Sequence, residues 1–399
     1  MKLRHDAPKR VSHADLAVGI LGSPDLLSIA LEQLERDLCL HYPGRSLAII
    51  CCNGKSDESA GQAFMDIPTA SPKIYLAPGN GHGGNCFELL LEQVVELGCQ
   101  AAVAIEAERL GSSYRFIRNL FEPLFHDYDF VFPLYVLRKY SGPFTSNLVY
   151  PLVRSLYGRR IRQPLGDELG FSGRMAALLR ESERIRRNGA SSRVWVTATA
   201  MKAKALLIQS YMGNPRPELF LAASEDEVKR VLQSVFELMC RHEGFWLHVK
   251  WSKPTAVFGV RSESMDSNPT VDLDVSGLRD LVLQRLDGRW AICRTILAGD
   301  NLDNLERFVN ASIGRNTFFS PSLWAKIVYD AAVSFKRQVV REEDLLDALL
   351  TLYYARTLSF VLETEAMSVQ QVEEYTEDQC LVFEQFKPYL VERWTERHR

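Results

Sequence analysis

No Cys-x-x-Cys pair occurs in the 399-residue chain, although it holds eight cysteines. Several of them, Cys51 and Cys52 among them, stand in apolar segments. They read as reduced, buried thiols, which points to the cytoplasm rather than to a secreted, disulfide-held scaffold. No apolar run resembles a membrane span, so none is expected. Met1–Ala14 is polar and basic and lacks the apolar core of a signal peptide. The formal net charge of −3 offers nucleic acid no general attraction. Internal repeats, low-complexity segments and a disordered tail are also lacking. What remains is 46% hydrophobic and 24% charged, which is ordinary for a soluble globular protein. The length suits two domains, or one large domain with an appendage.

The stretch that organises the rest is Ala101–Arg109. Ala101–Ile105 is a short apolar run of the kind a strand buried on both faces shows. Glu106 and Glu108 follow, separated by Ala107. Acids at the C-terminal end of such a strand sit where open α/β sheets bind ligands. There they can hold a divalent metal, which in turn can hold a diphosphate. They can equally be a solvated strand end.

Apolar runs at 16–21, 46–52, 74–76 and 130–136 supply further strands. Segments of helical spacing lie between them, such as Leu27, Ala30, Leu31 and Leu34, or 86–97. Strands alternating with helices mean a mostly parallel α/β sheet. The loop Pro78–Asn85 is rich in glycine and opens a helix. After Asn147 the pattern loosens. Residues 157–173 are expected to form a long ordered loop or two short elements, and 174–187 a charged helix. Val228, Val231, Leu232, Val235 and Leu238 mark an amphipathic helix over 225–242. The last third is helical by periodicity and holds no convincing catalytic cluster. Packing, a lid, or contact with a second copy are the roles it offers, so a homo-oligomer joined through it is one expectation.

At Ile161–Leu169 the sequence reads Ile-Arg-Gln-Pro-Leu-Gly-Asp-Glu-Leu. This resembles the loop of mannosylglycerate and glucosylglycerate synthases and their relatives, which are nucleotide-sugar-dependent glycosyltransferases with the GT-A fold. Leu16–Gly22, Pro78–Asn85 and Asn147–Gly158 resemble the family's first strand, glycine-rich loop and pre-loop segment. The resemblance implies a GT-A-like nucleotide-sugar-binding domain over 14–250 and a helical C-terminal region over 251–399. It implies transfer of a hexose from an NDP-sugar to a small acceptor, with Mg²⁺ or Mn²⁺ on the diphosphate. It also implies a sugar contact at Glu168, here the candidate catalytic residue. Nucleotide-sugar contacts are implied at Gly79, Asn80, Gly81, His82, Glu106, Gln163, Arg193 and Arg216. Any metal would fall to Glu106 and Glu108.

The departures from the family pattern fall on these positions. The usual Asp-x-Asp is Glu106-Ala107-Glu108, whose side chains are each one methylene longer, and magnesium is strict about geometry. The loop lysine is replaced by Asn80 and a following aspartate by His82. An aspartate after the charged helix becomes Arg193. The metal-binding histidine aligns with Arg216. Three outcomes follow. The site has decayed, with Arg193 and Arg216 pairing with Glu106 and Glu108, and the chain is a catalytically inactive binding or regulatory partner. Or arginines replace the ion on the diphosphate and a weak or metal-independent transfer persists. Or the glutamates still take Mn²⁺. Arg154, Arg159, Arg160 and Arg162 form a basic run that fits either an anion site or a solvated face.

Overall fold

The computed structural model describes residues 11–23, 28–55, 57–77, 85–113, 116–136, 139–182, 192–213, 224–261, 274–310 and 319–396. The first apolar run, Leu16–Leu21, is strand β1 and is buried along its whole length. Leu47–Cys52 (β2), Lys73–Leu76 (β3), Ala101–Glu106 (β4) and Phe130–Leu134 (β5) follow. Glu168–Ser172 (β6), Leu207–Tyr211 (β7) and Ala256–Phe258 (β8) complete the sheet. Its order is β3-β2-β1-β4-β6-β5-β7-β8. β6 alone runs antiparallel among the described strands, wedged between β4 and β5. The α/β class with a mostly parallel sheet and a helical C-terminal region is therefore as expected.

Strand pleating sorts the apolar side chains onto two faces. Val18, Ile20, Ile49, Val103 and Ile105 face one way, against Leu31, Leu34 and Leu38 of the helix Ser28–His41 and against Leu120 and Phe121. Ala17, Ile50, Ala102, Ala104 and Phe132 face the other way, onto the helix Cys86–Glu96. That second core runs without a break into the C-terminal helices as far as Trp394. Each fully buried Leu or Ile adds roughly 1.5–3 kcal/mol to the drive to fold.

Three local features decide or change the expectations. Of the alternatives for residues 157–173, a short element is present, because β6 lies within them. A chain reversal buries Gly170 against the carbonyl of Leu120, where a Cβ would come within 2.6 Å of the oxygen. Only glycine tolerates that approach, so the segment reads as a loop by composition but packs as a strand. Second, helix Ala107–Ser113 starts directly after β4, so Glu108 lies in a helical first turn. The carbonyls that end the strand begin the helix, and the two glutamates sit on different elements. Third, β8 arises from residues after 250, so the sheet draws an edge strand from the segment expected to be helical.

The C-terminal helices span Val275–Asp287, Trp290–Ile296, Gly299–Asn310, Pro321–Arg337, Glu342–Thr364, Val369–Gln385 and Lys387–Thr395. By length and composition Glu342–Thr364 could cross a membrane, with a mean hydropathy of 1.4 over its most apolar window. Eighty-three per cent of that window is buried inside the protein, where the helix serves as a core element. Its Arg356 is fully buried and is satisfied by Gln379, Tyr375, Glu363 and the Phe319 carbonyl. Polar bonds join this region to the sheet side. Trp324 Nε1 donates to the Asn147 carbonyl at 2.7 Å. Lys387 Nζ donates to the carbonyls of Ser155 and Val249 at 2.8 and 2.6 Å. Buried donors this far from water need such partners.

Candidate functional site

The C-terminal end of β4 is where the charged side chains gather. β6 runs past it antiparallel, pairing Ile105 with Glu168. The Glu106 amide donates to the Asp167 carbonyl at 3.4 Å. Asp167 and Glu168 are thereby delivered beside Glu106. The turn that does this is fastened on two sides. Thr197 Oγ1 donates to the Pro164 carbonyl at 2.6 Å, and Gln209 Oε1 accepts from the Arg162 amide at 2.6 Å. Gly166 lies so close to Pro133 that any Cβ would overlap the ring.

Arg193 stands in the first turn of the helix Ser192–Lys202. A cation there opposes the helix dipole, so it needs acids nearby. Its Nη1 reaches Asp167 Oδ1 at 2.8 Å and its Nη2 reaches Glu106 Oε1 at 3.7 Å. The guanidinium thus bridges two carboxylates at the strand end. Burial works against the charge on Arg193, but Asp167 and Glu106 outweigh it and hold the group protonated.

Behind this lies a second, fully enclosed pair. Glu168 is 0% exposed. Arg109 Nε donates to its Oε1 at 3.2 Å and stands 3.9 Å from Asp167 Oδ2. The Tyr135 hydroxyl donates to Glu168 Oε2 and accepts from the Asp167 amide. Arg109 also lies over the Tyr135 ring, 5.5 Å from its centroid.

Glu106 feels this crowding. Burial, with Asp167, Glu108 and Glu168 nearby, pushes its carboxyl up to about 7, although Arg193 pulls the other way. A carboxyl whose folded value is raised binds more protons when folded between its ordinary value and about 7, so stability declines as pH climbs through that window. Glu106→Gln removes the slope. At pH 8 the variant should be more stable than the parent by about 1 kcal/mol, discounted because solvent reaches part of the side chain. At pH 4 the gain should vanish. Thermal melts at the two pH values measure this, and an equal or larger gain at pH 4 would contradict it.

Glu106, Arg193 and Glu168 come together. Gln163 is buried in the turn, and its Nε2 has no hydrogen-bond partner among the described residues. Glu108 is exposed on its own helix. Gly79, Asn80, Gly81, His82 and Arg216 lie outside the described residues. Among the described residues no three His, Cys, Asp or Glu side chains converge in a way that could hold a metal ion. Glu106 is engaged with Arg193, and Glu108 starts a separate helix. The residues present do not fit the divalent ion that the resemblance implies.

Sequence reasoning missed Asp167, Arg109 and Tyr135 as members of the cluster. Asp167 stood inside the quoted loop and carried a usable signal. Arg109 and Tyr135 carried none, since only the sheet order brings them to Glu168. Two members of the basic run, Arg154 and Arg160, meet at the Ser252 hydroxyl. Arg154 is buried and paired with Glu377 and Glu384, while Arg160 Nε bonds Ser252 Oγ at 3.1 Å.

No family model matches the chain, and no curated protein matches it. Among solved structures it is similar to glucosyl-3-phosphoglycerate synthase from Mycobacterium tuberculosis. The complex with Mn²⁺, UDP and glucosyl-3-phosphoglycerate is 16% identical over 57% of this chain and 80% of that one, with a TM-score of 0.38. The complex with Mg²⁺ and UDP is 16% identical over 57% and 79%, with a TM-score of 0.40. Another structure of the same synthase is 14% identical over 58% and 82%, with a TM-score of 0.41. The functional reading rests on the side chains of this chain.

Proposed function

We propose that this chain is a divergent GT-A-type glycosyltransferase-family protein that binds a nucleotide sugar without a divalent cation. Arg193 supplies the positive charge. The observation that carries the reading is the Arg193 guanidinium held between Glu106 and Asp167 at the end of β4, the ligand face of an α/β sheet. The Gln163–Glu168 turn, by which the sequence resembles this family, forms the wall beside it. Leaving-group charge on a departing nucleoside diphosphate has to be met by a cation, and arginine can meet it with a two-pronged hydrogen-bond fork. The carboxylates that hold Arg193 compete with the diphosphate for it. Binding is therefore weakened, and transfer of the hexose to a small acceptor is slow.

A second reading, a catalytically inactive homologue, draws on the full burial of Glu168. Both its oxygens are engaged with Arg109 and Tyr135, and the side chain has no exposed surface. Transfer turnover separates the two readings.

The test is calorimetric titration with UDP- and GDP-sugars, with and without Mn²⁺. Similar affinity in both conditions is expected. Arg193→Ala should weaken binding about tenfold to a hundredfold, the scale of a lost charge-assisted hydrogen bond. No binding of any NDP-sugar in either condition removes the proposal. Binding that appears only with Mn²⁺ removes its metal-free part.

A further inference from the structure

A cleft of about 670 Å³ opens where β5 and β7 end, between Tyr135 and Tyr211 on the sheet side and the helix Val369–Gln385. That is the size of a small-molecule site. It adjoins the acid–arginine cluster, since Tyr135 lines the cleft and bonds Glu168 at once. Its walls carry opposite charges. On the sheet side is Arg162, whose guanidinium bonds Ser146 Oγ at 3.3 Å and lies 5.2 Å from the Tyr150 ring centroid. No carboxylate stands within ion-pair distance of it among the described residues. On the helix side four acids line the cleft. Two are already matched: Glu373 faces Arg261 at 3.5 Å, and Glu377 is taken by Arg154 and Tyr150. Glu374 and Asp378, four residues apart on one helical face, have no cationic partner among the described residues. Glu374 bonds only the amide of Gln370.

We propose that this cleft binds a small zwitterion, with its carboxylate on Arg162 and its ammonium on Glu374 and Asp378. A purely anionic hydroxy acid such as glycerate meets the arginine but also the acidic wall, and a simple amine meets the acids but also the arginine. Only a molecule bearing both charges is complementary to both walls. As the acceptor of a transferase, this ligand class rests on the reading above. As a binding site it stands independently.

The experiment uses three probes: serine, glycerate, in which a hydroxyl replaces the ammonium, and ethanolamine, which lacks the carboxylate. Each is titrated into the full chain by calorimetry, with and without UDP-glucose. Serine should bind at least about tenfold more tightly than either of the others. Glu374→Gln with Asp378→Asn should abolish the preference over glycerate, and Arg162→Met the preference over ethanolamine, with unchanged thermal melts for the exposed acid pair. Glycerate or ethanolamine binding as tightly as serine overturns the proposal, and so does the absence of a serine isotherm in both conditions. A serine isotherm without binding of any UDP- or GDP-sugar, with or without Mn²⁺, upholds the site and removes the transferase reading. UDP-sugar binding without a serine isotherm does the reverse.

Discussion

Arg154→Met should cost about 3–5 kcal/mol of folding stability, the scale of breaking a buried ion pair from one side. Arg154 is 1% exposed. From the helix Tyr150–Tyr157 it reaches Glu377 and Glu384, each at 2.5 Å, and Ser252 Oγ at 3.0 Å. It ties the sheet side of the molecule to the C-terminal helices at their centre. Methionine fills much of the volume but leaves Glu384 with Ser252 alone. Burial acts to raise the Glu384 carboxyl, but the bonds from Ser252 and Arg154 outweigh it and hold the group below its ordinary value. The stability this contributes is fully present above the ordinary carboxylate value and disappears as pH drops through the folded one. The gap between parent and variant, measured by urea unfolding, should therefore be widest near neutrality and shrink in acid. A loss under about 1 kcal/mol at pH 7 would show that the pair behaves as a solvated one.

Arg109→Met should have a comparable effect, again about 3–5 kcal/mol, because Glu168 has no access to water. The informative comparison is with Glu168→Gln and with the double variant. Glutamine keeps an oxygen to accept from the Tyr135 hydroxyl but carries no charge to strand. The double variant should regain most of what Arg109→Met loses, giving a coupling energy of about 2 kcal/mol or more in a double-mutant cycle. Additive losses would mean that the contact at 3.2 Å is incidental to stability.

Glu168 shows why the sequence was readable only in part. Gly166-Asp167-Glu168 looks like a polar loop, and a polar loop suggests contact with ligand. What buries Glu168 is the insertion of β6 between β4 and β5, a pairing set by residues from 39 to 71 positions upstream. A local pattern carries no record of that partner. The same holds for Arg193. Its replacement of an acid was visible, and its pairing with Glu106 was one of the outcomes foreseen. That Asp167 is its nearer partner, at 2.8 Å, depends on the antiparallel strand. The basic run at Arg154–Arg162 looked like one feature because its members are close in sequence. The helix ends at Tyr157 and Gly158 takes a left-handed turn (φ of 65°), which brings Arg160 back to the Ser252 hydroxyl that Arg154 bonds and Arg162 to the Tyr150 ring over which Arg154 lies, partners no local pattern records.

By itself the sequence determined the α/β class, the first five strands, the helical C-terminal third and the position of the charged strand end. These follow from apolar periodicity, which is local and survives in one dimension. The tertiary structure alone decided which charges meet. It placed β6 antiparallel, buried Glu168 with Arg109 and Tyr135, put Arg193 between Glu106 and Asp167, and left Glu108 on a separate helix. Charge pairing depends on distances of a few ångströms between residues far apart in the chain, and only the closed sheet fixes those distances.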